Sequence, residues 1–221
     1  MKKKLLKTIP TLYIATLYTF ITIFSELRFD LIEVQGIFIR IIGNFSLFFA
    51  MGFSGLILSE KTGFMGLFIN TKIRYRAKIK RMTIYGGIAG ILMGALNILV
   101  LSQANSSSFP EWTKYATDPY NIFILSLRAG LVEETVFRLF LFPVSVWGCA
   151  LIRKRAESIS KIEIMIGAVI SSALFGIIHN SGCILAMIMG LLLTAVYYKA
   201  GWESCVIAHF ITDFIPFMIV F

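Results

Sequence analysis

Six side chains of the types that do acid–base chemistry stand on three apolar stretches of this chain: Glu133, Glu134 and Arg138, then His179, then His209 and Asp213. The two histidines are the only ones in the sequence. Glu134 and Arg138 are four residues apart, share one helix face and suit an intrahelical ion pair. Glu133 points about 100° away from that face, which leaves it as the unpaired carboxylate and the candidate acid or base. His179 follows Phe175 by four residues and His209 precedes Asp213 by four, so each pair also lines one face. A lone histidine or one Glu–Arg pair is ordinary interhelical glue. The whole set facing lipid would be expensive, and the economical arrangement turns all three faces into one shared cavity.

The elements that must hold these residues are set by composition. In 221 residues the hydrophobic fraction is 57% and the charged fraction 15%. The mean hydropathy of +0.82 lies outside the soluble range. Seven stretches are long enough to cross a bilayer: about 8–27, 36–58, 83–103, 121–152, 164–180, 181–199 and 202–221. We therefore expect an all-α, polytopic transmembrane bundle forming one domain over residues 1–221, with the chemistry among its last four spans. His179, Asn180, Ser181 and Gly182 make a polar turn, so the fifth and sixth spans read as a hairpin or as one broken, re-entrant helix. Gly86, Gly90 and Gly94 recur every fourth residue and signal close helix packing.

Charge distribution sets the expected topology. The net charge of +9 is gathered mainly at Lys2–Lys7, Lys72–Arg81 and Arg153–Lys161, each beside an apolar run. By the positive-inside rule these mark the cytoplasmic side and place the N-terminus inside a cytoplasmic (plasma) membrane. Residues 104–120 become an external loop, and the odd span count leaves the C-terminus outside. The first apolar run has no small-residue cleavage pattern and reads as a retained helix rather than a leader. Anionic lipids are the expected contacts of Lys72–Arg81. No basic surface outside these loops suggests nucleic acid. Residues 63–82, with Phe64, Met65, Leu67, Phe68 and Ile69, read as an interfacial segment. Cys149, Cys183 and Cys205 are isolated and imply no pairing.

The residue set leaves several chemistries open. Glu133, His179 and His209 are a possible zinc triad by type, although the HExxH helix motif is absent. A proton relay in a transporter would use the same groups, but no inverted repeat is visible.

Glu133-Glu134-Thr135-Val136-Phe137-Arg138 resembles the EExxxR motif of the CAAX protease and bacteriocin-processing (CPBP, or Abi) family. Phe175-x-x-x-His179 and His209-x-x-x-Asp213 resemble its second and third motifs, in the same order, over about 121–221. The resemblance implies an intramembrane glutamate-dependent endopeptidase that requires neither metal nor other cofactor. It implies Glu133 as general base, His179 positioning the water, and His209 with Asp213 stabilising the oxyanion. Glu134 and Arg138 would support the site. The implied substrate is a membrane-associated, lipidated or hydrophobic peptide, as in CAAX, pheromone or bacteriocin-leader processing. The rival reading is a non-proteolytic scaffold or bacteriocin self-immunity protein on the same fold.

Two features strain this picture. The prenyl-protein branch has Asn where this chain has Asp213, and an ionised carboxylate would repel an oxyanion. Asp213 is therefore expected either to act as a neutral acid or to orient His209. Glu133 also lies 20 residues before Arg153, about 30 Å along a straight helix, whereas His209 is only eight residues past Gly201. A kink at Pro143, or a last helix that begins outside the hydrocarbon, would bring them level.

Overall fold

The computed structural model of the chain describes residues 2–29, 36–64, 66–67, 74–102, 114–154, 158–179 and 182–220. Among these residues all regular structure is helical. Seven helices are long and apolar enough to span a bilayer, in agreement with the expected polytopic bundle. They are α1 (Lys2–Arg28), α2 (Ile37–Thr62), α3 (Tyr75–Leu101), α4 (Pro119–Ile152), α5 (Lys161–Ile178), α6 (Cys183–Ala200) and α7 (Trp202–Val220). Large apolar side chains such as Phe38, Ile39 and Ile184 stay exposed around the bundle. A bilayer satisfies such a surface and water does not.

Just past α2, the chain at Phe64 and Leu67 is tucked in rather than laid along the headgroups. Gly63 ends α2 with a left-handed φ of 77°, its N–H reaching the carbonyls of Ser59 and Glu60. That turn sends Phe64 and Leu67 back into the core, where both are buried. The Phe64 ring stacks on Phe142 at 4.8 Å and meets Tyr197 edge-on at 6.2 Å. The Gly66 carbonyl accepts from the Trp202 N–H at 3.0 Å, fixing the start of α7. The interfacial expectation is thus corrected for Phe64 and Leu67. Met65, Phe68 and Ile69 lie outside the described residues.

Helix α3 begins earlier than the apolar pattern suggests, because its basic residues are helical too. Arg76, Lys78, Lys80 and Arg81 occupy its first turns, ahead of a π-helical segment at Met82–Gly86. Its glycines seat α7. A Cβ placed on Gly90 would stand 2.7 Å from Ile211 Cβ and 2.8 Å from the Ala208 carbonyl oxygen.

Helix α4 starts at Asp118, whose Oδ1 accepts from the Asn121 N–H at 2.9 Å, with Pro119 in the first turn. Its regular winding breaks at a π-helical segment, Thr135–Leu141, directly after the glutamate pair. Pro143 lies just past that segment and has no N–H for the Leu139 carbonyl. Gly55 of α2 packs against this carbonyl, and a Cβ there would come within 2.4 Å of it. Helix α5 opens on a capping box of Ser160 and Glu163. The buried Glu163 also pairs with Arg153 at 2.9 Å, clasping the end of α4 to the start of α5. Helices α5 and α6 form the hairpin, joined through a Gly182 N–H to His179 carbonyl bond of 2.9 Å. Asn180 and Ser181 of that turn are outside the described residues, as are residues 104–113 of the expected external loop.

Candidate active site

The structure brings together all six residues singled out by type and spacing. Glu133, Glu134 and Arg138 come from α4, His179 from the end of α5, and His209 and Asp213 from α7. Their meeting depends on Gly130. A Cβ there would be 3.1 Å from the Val206 carbonyl oxygen and 3.8 Å from His209 Cβ, so α7 lies hard against this turn of α4. Gly130 points between the directions of Glu133 and Glu134, which places His209 between the two carboxylates.

Each His209 nitrogen therefore has its own acidic neighbour. Nδ1 donates to Glu134 Oε1 at 2.7 Å. Nε2 faces Asp213 Oδ2 at 3.4 Å and Glu133 Oε2 at 3.8 Å. The same Glu134 oxygen pairs with Arg138 Nη1 at 3.2 Å, and both of those side chains are fully buried. Glu134 thus fixes the ring of His209 as well as holding Arg138.

Arg138 is held on further sides. Its Nη2 donates to the Gly190 carbonyl of α6 at 3.2 Å. Its guanidinium lies over the Phe175 ring at 4.2 Å, within the range of a cation–π contact. That ring also touches both histidines, with centroid separations of 4.5 Å to His179 and 5.9 Å to His209. The Phe175 carbonyl accepts from His179 Nδ1 at 2.7 Å. A carbonyl only accepts, so Nδ1 carries the proton, and in the neutral tautomer this leaves the lone pair on Nε2.

That lone pair faces Glu133. His179 Nε2 stands 3.6 Å from Glu133 Oε2, an oxygen that is buried and has no hydrogen-bond partner among the described residues. Separations of 3.6 and 3.8 Å exceed a direct hydrogen bond. Glu133, His179 and Asp213 are partly exposed, whereas Glu134, Arg138 and His209 are buried. The first three line an accessible space, and the second three form its wall.

The depth problem has its answer here. The π-helical segment widens α4 immediately below Glu134, the usual setting of such bulges at functional sites. His179 closes α5, and its side chain folds back one turn onto Phe175, since helical side chains lean toward the N-terminus. The break in α4 is therefore at Thr135–Leu141, slightly before Pro143.

Four contacts were not read from the sequence: Glu134 with His209, Arg138 with the Gly190 carbonyl, and Phe175 with Arg138 and with His179. Only Phe175 carried a signal, its place four residues before His179. Among the described residues, no group of three or more His, Cys, Asp or Glu side chains is arranged to hold a metal ion.

Residues 115–215 match the Rce1-like family, type II CAAX prenyl endopeptidases. The match covers every residue of the cluster and agrees with the resemblance carried by the three motifs. Together with the seven apolar helices, this likeness supports an integral membrane protein with protease activity of the CAAX type. No curated protein and no solved structure matches the chain.

Proposed function

From that family match we propose that the chain cleaves its peptide substrate with a water activated by Glu133. The observation that carries this is the meeting of Glu133 Oε2 with Nε2 of His179 and of His209, at 3.6 and 3.8 Å, from three different helices. Each imidazole has its far nitrogen tied down by an acceptor, so both rings are fixed before substrate arrives.

Glu133 takes a proton from a water that also donates to His179 Nε2. The resulting hydroxide attacks the scissile carbonyl carbon, and the π electrons move onto oxygen. The oxyanion meets His209 Nε2. With Nδ1–H committed to Glu134, Nε2 donates only from a doubly protonated ring, an imidazolium with Glu133, Glu134 and Asp213 around it. Glu133 then returns its proton to the leaving nitrogen as the C–N bond breaks. Glu134 supplies the orienting contact to His209, so Asp213 acts on the Nε2 side, beside the oxyanion.

The substrate class proposed is a membrane-associated, lipidated or hydrophobic peptide, within which CAAX, pheromone and bacteriocin-leader substrates all fall. We further propose a single domain with its catalytic half at about 121–221, set in the cytoplasmic (plasma) membrane with the N-terminus inside. Arg76, Lys78, Lys80 and Arg81 would then meet anionic headgroups.

The test is cleavage of a pooled set of lipidated and plain peptides by purified protein in detergent, wild type beside Glu133→Gln, with and without chelator. Loss of cleavage in the variant, with indifference to chelator, is the expected result. Chelator-sensitive cleavage would move Glu133 and the histidines to metal ligation. Cleavage retained in Glu133→Gln would remove the proposed base.

A further inference from the structure

The last helix lacks a ladder bond immediately beside its catalytic pair. Pro216 lies inside α7 and has no N–H for the carbonyl four residues earlier, which belongs to Thr212. At membrane depth a carbonyl without its helical donor needs another. It finds one on a different helix: Asn97 Nδ2 of α3 donates to the Thr212 carbonyl at 3.2 Å. A carbonyl only accepts, so Asn97 turns its NH2 toward α7.

The sequence of α3 is suited to reach this atom. Gly86, Gly90, Gly94 and Asn97 fall on one helix face. Cβ atoms on the three glycines would stand 2.7 Å from the Ser204 carbonyl oxygen, 2.8 Å from that of Ala208 and 3.5 Å from that of Ile211. Helix α3 therefore follows the carbonyls of α7 turn by turn. A Cβ on Gly94 would also lie 3.8 Å from Cδ of the Pro216 ring. Asn97 is the next residue of this face, and it meets the carbonyl that the proline leaves without a helical donor.

That carbonyl is bonded to the nitrogen of Asp213. The peptide is planar, so holding the Thr212 oxygen holds the plane from which Asp213 projects. Asp213 Oδ2 in turn faces His209 Nε2 at 3.4 Å. The buried Thr212 adds a second constraint, its hydroxyl donating back to the Ala208 carbonyl at 2.7 Å. Interhelical hydrogen bonds contribute little on average to the stability of membrane bundles, and the glycines already seat α3 on α7. Adhesion alone is thus a weak account of an amide at this place. We propose that Asn97 is a positioning residue: by holding the Thr212 carbonyl it sets how Asp213 meets His209 Nε2. Its effect on cleavage rests on the protease reading, whereas its effect on His209 does not.

Because the chain has two histidines, ring signals from protein carrying isotope-labelled histidine report each separately, with His179→Ala assigning them. The full chain in detergent is compared as wild type, Asn97→Leu, Asn97→Gln, Pro216→Ala and Asn97→Leu/Pro216→Ala. Cleavage of a peptide selected from the pool is followed on the same samples. Asn97→Leu should move the His209 Nε2 signal and leave His179 in place. Its kcat should fall about tenfold with KM within about twofold, the scale of a sub-ångström misplacement. Pro216→Ala gives Thr212 a helical donor, so in that background Asn97→Leu should add neither shift nor loss. An unmoved His209 signal, equal movement of both histidines, or an undiminished Asn97→Leu effect beside Pro216→Ala overturns the proposal. Should Asn97→Leu fail to fold, the double variant decides: it should fold and match Pro216→Ala, and its failure refutes the proposal. Should Pro216→Ala fail to fold, Asn97→Gln decides. It keeps a donor and should move the His209 signal less than Asn97→Leu does, and equal shifts refute the proposal. If wild type cleaves no peptide, the protease reading is what fails, and the histidine signals still decide Asn97.

Discussion

Replacing Glu134 with Gln tests whether one carboxylate oxygen holds both the wall of the site and the orientation of His209. Glu134 Oε1 meets His209 Nδ1 at 2.7 Å and Arg138 Nη1 at 3.2 Å, with Glu134 and Arg138 fully buried. The amide keeps an acceptor for His209 but removes the negative charge opposite Arg138. Breaking a buried pair by removing one partner is expected to destabilise by about 3–5 kcal/mol, because the remaining charge is stranded. The Gly190 carbonyl and the Phe175 ring still touch Arg138, which puts the expected loss toward the lower end, about 3 kcal/mol. Arg138→Met should lose a similar amount by stranding Glu134.

The double variant Glu134→Gln/Arg138→Met leaves no buried charge stranded, so its loss should fall short of the sum of the two singles by about 3 kcal/mol or more. The assay is reversible unfolding of the four proteins in mixed micelles, with peptide cleavage measured on the same samples. The double variant should be no less stable than either single, but cleavage should not recover, because the charge that braces His209 is still missing. Additive losses would refute the shared-carboxylate reasoning. So would a double variant that recovers full activity together with its stability.

The remaining predictions concern neighbouring atoms. Asp213→Asn should keep cleavage within about tenfold of wild type, since an amide donates to an oxyanion as a neutral acid does; an inactive Asp213→Asn protein would remove both roles considered for Asp213. His179→Ala should lower kcat by about 10²- to 10⁴-fold, the range for a positioned proton-transfer partner, with KM nearly unchanged in steady-state cleavage. Gly90→Ala should destabilise the bundle by about 1–3 kcal/mol, because its Cβ would stand 2.8 Å from the Ala208 carbonyl oxygen, whereas Gly43→Ala, with nothing within 4 Å, should be neutral in the same unfolding assay.

The parts of this architecture that are short-range and periodic are legible in the sequence. Span number, the i,i+4 pairing of Glu134 with Arg138 and the packing role of the glycine repeat need only hydropathy and helix spacing. The failures are long-range. Phe64 and Leu67 look interfacial because their run ends an apolar helix and precedes basic residues. Their burial depends on Gly63 turning the chain under the bundle and on Trp202, far along the sequence, donating its N–H to the Gly66 carbonyl. The π-helical segment at Thr135–Leu141 left no spacing signal, because it is set by how α4 meets α2 and α5.

Gly130 shows why the site itself was only half legible. Helix geometry separates Glu133 from Glu134 by about 100°, which suggested one free carboxylate and one structural carboxylate. That spacing does not say what occupies the angle between them. With Gly130 one turn earlier, α7 comes close enough for His209 to fill that angle, with a different nitrogen toward each acid. The two glutamates then divide one histidine: Glu134 fixes the ring through Nδ1, and Glu133 shares the reacting space with Nε2. This division makes a test that spacing alone would not suggest. Gly130→Ala leaves all six cluster residues in place but sets a Cβ 3.1 Å from the Val206 carbonyl oxygen, displacing α7 by a few tenths of an ångström. Misplacement on that scale should reduce cleavage more than it reduces stability, because the reaction depends on geometry that packing tolerates. Equal losses in both would mean that α7 holds the bundle together without tuning the site.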